Sequence, residues 1–150
     1  MPDSGAKSTF MHVGMTVADL DVTIAFYKKY FGFSEGARST FSSEFIAALP
    51  QLYNQEEGVY SDYAFINHPD GIMLELFCFS KMIPAENAVW NRPGIHHLCF
   101  KVENLQATYE EMVADGVSFF FAPRAKKAPN EHEHWVFLKD PDGNLIELQD

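Results

Sequence analysis

The chain has 150 residues, of which 47% are hydrophobic, and 21 acidic residues against 11 basic ones give it a formal net charge of -10. That length suits one domain, or two small halves sharing a core, and the negative charge disfavours nucleic acid and anionic membrane surfaces as partners. With no apolar run long enough for a signal peptide or a membrane span, and with Cys78 and Cys99 in strand-like apolar runs read as reduced and buried, a cytoplasmic protein acting on a small molecule is expected.

In chain order, residues 1–8 read as a loose tail, and "FMHVGMTV" (10–17) alternates as a strand. "DVTIAFYKKYFG" reads as a helix with Ile24, Tyr27 and Phe31 on one stripe, capped at its start by Asp19 or Asp21 and at its end by Gly32. "FSEGARSTF" is read as a second strand, "SSEFIAALPQLYNQ" as a short helix or turn insertion, and "VYSDYAFIN" as a third strand. A Pro-Asp-Gly turn then leads into "IMLELFCF". After "SKMIPAENAVWNRPG", whose prolines and low periodicity suit a linker, the plan recurs. "IHHLCFKV" (95–102) is a strand, "NLQATYEEMVADG" a helix closed by Gly116, "VSFFFA" a strand, and "HWVFLKD" and "NLIELQ" two more around a second Pro-Asp-Gly.

The two halves therefore repeat one plan, which predicts a first βαβββ module over 9–80, a linker over 81–93 and a second module over 94–150. "PDGIMLEL" at 69–76 returns as "PDGNLIEL" at 141–148. Laid on each other, the halves equate His12 with His97 and Glu75 with Glu147. Strand alternation puts Glu75 on the face of Met73, Phe77 and Phe79, Glu147 with Leu145 and Gln149, and His97 with Ile95 and Cys99. A carboxylate in such apolar surroundings must be neutralised, paired or bound to a cation. Repeat-related positions make one destination for all four side chains plausible, and two imidazoles with two carboxylates suit a divalent ion such as Zn, Ni, Co, Mn or Fe(II). Taken singly, each of these residues would more often be an ordinary hydrogen-bonded strand residue.

"HVGMTVADLDVTIAFYKKYFGF", "GIHHLCFKVENL" and "DPDGNLIEL" resemble the two modules of the vicinal oxygen chelate superfamily, over about residues 9–149. The superfamily includes glyoxalase I, methylmalonyl-CoA epimerase, ring-cleaving dioxygenases and drug-sequestering proteins. The resemblance implies an α+β fold of two tandem βαβββ modules, with curled mixed sheets forming a barrel-like cavity around a metal. It also implies His12, Glu75, His97 and Glu147 as ligands and a homodimer. His96, expected on the opposite strand face from His97, is left out of that set. The activity implied is a lyase or isomerase of glyoxalase I character, in which the metal binds vicinal oxygens and a ligand glutamate moves a proton next to a carbonyl. Glu147 and Glu75 are the candidates for that proton carrier, with Glu147 favoured. Thr16 and Phe79 stand where glyoxalase I carries an Arg and an Asn for glutathione, so a substrate other than a glutathione adduct is expected; Glu75 stands where methylmalonyl-CoA epimerase usually has Gln.

The alternative is an Fe(II) ring-cleaving dioxygenase using His12, His97 and Glu147, with His132 or His134 as acid or base. A metal-free drug-binding protein is a third reading. For substrate contacts the sequence offers Phe77, Phe79, Phe119 and Phe121 from its 14 phenylalanines, and Thr16 and Lys101, each four residues after a histidine. "PRAKKAPNEHEH" (123–134) reads as a loop long enough to form a flap.

Overall fold

The computed structural model describes residues 8–125 and 133–150. The chain divides into two compact units, Met1–Met82 and Ile83–Asp150.

In the first unit the strands are β1 (His12–Thr16), β2 (Ser34–Phe41), β3 (Ser61–Asn67) and β4 (Met73–Phe79), and the helices are α1 (Leu20–Phe31), α2 (Ser43–Ala47) and α3 (Pro50–Tyr53). The strands form one sheet in the order β1-β4-β3-β2, with β1 parallel to β4 and the other pairs antiparallel. Asp19 starts α1 by accepting a hydrogen bond from the Val22 amide, which satisfies one of the amides a helix leaves without a partner. Gly32 ends it at φ 70°, a conformation that glycine adopts without a Cβ clash. The buried stripe of α1, with Ile24, Tyr27 and Phe31, belongs to a core that also holds Ala64, Ile66, Leu74 and Leu76. Because side chains alternate along a strand, the residues between Leu74 and Leu76 and beyond, namely Glu75 and Phe77, point from the other face of the sheet. The helix covers one face, and the polar pair described below belongs to the opposite one.

The second unit repeats this arrangement with β5 (His97–Lys101), α4 (Leu105–Ala114), β6 (Arg124–Ala125), β7 (His134–Lys139) and β8 (Leu145–Gln149) in the order β5-β8-β7-β6. Asn104 caps α4 through the Ala107 amide, as Asp19 caps α1. Leu105, Met112, Val136, Leu138, Ile146 and Leu148 are its buried core. Both β4 and β8 are entered through the Pro-Asp-Gly turns, where Gly71 and Gly143 adopt φ 88° and 85°. Each turn is closed from the residue before the proline. The Gly71 amide donates to the His68 carbonyl and the Gly143 amide to the Asp140 carbonyl, while the side chains of His68 and Asp140 accept from the amides of Asp70 and Asp142.

Three expectations need amendment. Each sheet is open, with β1 and β2 or β5 and β6 as edges, so neither closes into a barrel. The strand expected at "VSFFFA" is reduced, among the described residues, to a single bridge between Phe119 and Leu138 followed by the two-residue β6. Pro123 has no amide to offer a ladder, and three successive phenylalanines cannot share one face. Cys99 is exposed rather than buried, whereas Cys78 is half-buried and donates to the Ala18 carbonyl; both are in the thiol form. The tail over 1–7 and most of the expected flap, including His132, lie outside the described residues. No helix among the described residues is long and apolar enough to cross a membrane.

Candidate metal centre

In the first unit His12 opens β1 and Glu75 lies mid-way along β4, where the parallel ladder sets Gly14 beside Glu75. The imidazole Nε2 approaches the carboxylate Oε2 to 3.0 Å, with 16% of the Glu75 side chain exposed. In the second unit Cys99 is set beside Glu147 by the same register, and His97 Nε2 lies 3.3 Å from Glu147 Oε2 with 15% of the glutamate side chain exposed. The two pairs thus occupy the same place in two copies of one ladder.

Each pair has an aromatic neighbour contributed by the middle strand. Phe65 is the cross-strand partner of Glu75 and meets the His12 ring edge-on at 5.9 Å. Phe137 is the partner of Glu147 and meets the His97 ring edge-on at 5.3 Å. Neither phenylalanine stood out in the sequence. The signal was there, since Phe65 and Phe137 are separated by the same 72 residues as Glu75 and Glu147.

Around these constants the two units differ. Beside Glu75, two residues on, is Phe77, which lies at 6.2 Å from Phe41 and 6.4 Å from Tyr63, while Phe41 and Tyr63 stack on each other at 4.3 Å. Beside Glu147, two residues on, is Gln149, whose Nε2 donates to Glu147 Oε1 at 2.6 Å. His96 precedes β5, so strand alternation does not reach it; its ring stacks on that of His97, with the two Nδ1 atoms 2.7 Å apart. Trp90 lies against both rings, at 4.1 Å from His96 and 5.5 Å from His97. A cavity of about 650 Å³ opens on the second pair, lined by Trp90, His97, Phe120, Phe121, Trp135, Phe137, Leu145 and Glu147.

The other residues singled out from sequence are dispersed. Thr16 and Lys101 are exposed at the ends of their strands. Phe77 and Phe79 belong to the aromatic row of the first sheet. Phe121 lines the cavity, but Phe119 packs edge-on against Tyr109 of α4 and does not. His134 interacts with Asp150, its Nδ1 3.3 Å from Asp150 Oδ1. Among the described residues no three His, Cys, Asp or Glu side chains are gathered as a cation site; the structure presents two donors in each unit.

Whether a metal suits those donors can be judged from their spacing. Two ligand atoms about 2.1 Å from one ion lie about 3.0 Å apart in octahedral geometry and about 3.4 Å apart in tetrahedral geometry. The observed 3.0 and 3.3 Å fall in that interval, and each pair joins an imidazole nitrogen to a carboxylate oxygen, both good partners for a divalent first-row ion. Each pair fits two positions of a four- or six-coordinate ion. Without a cation, the same approach serves as a hydrogen bond from imidazole to carboxylate.

Comparison with known proteins agrees with this architecture. A lactoylglutathione lyase of Schizosaccharomyces pombe is 27% identical over 143 residues, covering 91% of this chain, which in turn spans 45% of the lyase. A glyoxalase family protein from Bacillus cereus superposes with a TM-score of 0.74 at 20% identity, with 96% of each chain covered. A fosfomycin resistance protein, FosX, from Listeria monocytogenes, solved with Mn(II) and sulfate, gives a TM-score of 0.57 at 19% identity over 95% of this chain and 91% of that one. At these identities the structural likenesses speak for the fold. The profile of the Glyoxalase/Bleomycin resistance protein/Dioxygenase superfamily matches residues 9–148, and the chain belongs to that superfamily.

Proposed function

We propose that this protein is a divalent-metal-dependent lyase or isomerase that moves a proton next to a carbonyl of a small substrate. The observation that carries the reading is the recurrence of one His-Glu pair, at ligand spacing and in identical register, in both units. His12, Glu75, His97 and Glu147 would hold the ion, as one set of four drawn either from one chain or from two chains of a homodimer. The solved Mn(II) complex of FosX and the similarity to a lactoylglutathione lyase support this direction. When bound, a divalent ion supplies Lewis-acid stabilisation of negative charge on substrate oxygens.

The rest falls to the chain's own side chains. A carboxylate that takes a proton from carbon must swing toward the substrate. Glu147 is held on both sides, by His97 and by the Gln149 amide, whereas the place equivalent to Gln149 beside Glu75 is Phe77, which has no donor. The family resemblance leaves Glu147 and Glu75 both as candidates, with Glu147 preferred from the sequence; these contacts favour Glu75 as the carrier and Glu147 as the fixed ligand. Phe65 and Phe137 flank the pairs, their rings edge-on to the imidazoles. Thr16 and Phe79 in place of an Arg and an Asn leave glutathione without its polar contacts, so the substrate is a smaller, less polar one.

The test is exchange of the carbon-bound protons of hydroxyacetone in D₂O, followed by NMR. Exchange that requires an added divalent ion and stops with chelator is expected. Oxygen uptake with catechol and Fe(II), without such exchange, would overturn the assignment in favour of the ring-cleaving alternative, toward which the aromatic cavity of the second unit is the one pointer.

A further inference from the structure

The walls of the second unit's cavity say what enters. Among the described residues its lining is aromatic or aliphatic except for His97 and Glu147, and it is of the size typical of small-molecule sites. Trp90 is 56% exposed and Phe120 54% exposed, so large rings face solvent at the mouth of a cavity instead of being buried in the core. Trp90 comes from the stretch that the sequence suggests is merely a linker, yet it contacts His96, His97 and Phe137. Trp135 sits edge-on to both Phe137, at 5.9 Å, and Phe121, at 5.0 Å.

Among the described residues, cations come close without entering. Arg124 lies over the Phe121 ring and Lys139 over the Phe120 ring, and Lys139 is hydrogen-bonded to Asn87; neither lines the cavity. A carboxylate-bearing substituent would therefore lose water in this cavity without gaining a partner among the described residues. A flat uncharged ring would gain contact with the indole and phenyl faces.

We propose that the cavity holds an aryl group of the substrate, uncharged and directly attached to the vicinal oxygens that reach His97 and Glu147, and that Trp90 is the residue that selects for it. The inference rests on the metal-dependent reading for the oxygens but not for the ring. Both tryptophans of the chain, Trp90 and Trp135, line the cavity, so intrinsic fluorescence reports its occupancy.

The experiment compares 2-hydroxyacetophenone with hydroxyacetone, which carry the same two oxygens with and without the ring. Binding to the full chain is read by calorimetry and by fluorescence, with and without Mn(II). The aryl probe should bind at least about tenfold more tightly and perturb the fluorescence, and Trp90→Ala should reduce that preference roughly fivefold to tenfold. Phe121→Leu, at a ring that packs edge-on against Trp135, should reduce it as well. Equal affinities for the two probes on Mn(II)-loaded protein, or a preference that survives both substitutions, would overturn the inference while leaving the metal reading intact. Fluorescence change with the aryl probe in a protein that takes up no Mn(II) would do the reverse, upholding the aryl site and removing the metal reading.

Discussion

The two units share a backbone plan and differ in what stands around it. Ladder register, helix caps, Pro-Asp-Gly turns, the His-Glu pair and the phenylalanine across from each glutamate recur from one to the other. What changes is the surroundings of each pair. In the first unit Glu75 is bordered by Phe77 and its stacked row, while in the second Glu147 is tied to Gln149 and faces a tryptophan-lined cavity. The positions that fix the donors in space recur, and those that border the donors differ. The shared part is the same His-Glu pair in the same register in each unit. The differing part explains how equal donors can take unequal roles.

That division can be broken most severely at the glutamates. If Glu75 carries the proton and Glu147 is fixed, Glu75→Gln should lower the exchange rate by about 10²- to 10⁴-fold with metal affinity affected less. Glu147→Gln should act chiefly through weakened metal binding. The reverse pattern, measured by D₂O exchange alongside Mn(II) titration, would return the role to Glu147 and make the Gln149 contact a means of orienting an active base.

A smaller test addresses the shared part. Gly71→Ala and Gly143→Ala place a Cβ on left-handed backbone, with nothing within 4 Å of either added atom, so the cost in each is conformational alone. Each should lose about 1–2 kcal/mol, and by similar amounts, in chemical denaturation. A marked inequality would show that the two turns are not equivalent in energy despite their matching geometry.

The smallest effect is confined to the second unit. Burial alone would raise the Asp150 carboxyl, but hydrogen bonds from the His134 and Leu105 amides outweigh it and hold the group below the usual carboxylate range. The folded state therefore favours the ionised form. The resulting stability is present above the unfolded value of about 3.9 and is lost as pH falls through the lower folded value. Asp150→Asn should cost about 1 kcal/mol at neutral pH, and the difference from the unsubstituted protein should fade in acid denaturation curves.

Much of this was legible in the sequence because a repeat carries its own control. A histidine or a glutamate in an apolar strand says little alone, but His12 with His97 and Glu75 with Glu147 say where the chain places them twice. Helix bounds followed from Asp19, Asn104, Gly32 and Gly116, whose side chains or lack of one satisfy local backbone needs. The features that escaped depend on contacts between distant residues. "VSFFFA" has strand propensity, yet its pairing is limited by what lies opposite, and propensity yields to that context. Trp90 sits in a segment with no periodicity, so nothing local announces that its ring reaches His97. Alternation from His97 does not reach His96, because the strand starts one residue later.

The central claim is that the two pairs serve one ion, and the count of ions tests it most directly. Mn(II) titrated into the full chain, with bound metal measured after separation, should give one equivalent per chain, lost in both His12→Ala and His97→Ala. Two equivalents per chain, with each substitution removing only one, would show two independent half-sites and contradict the account.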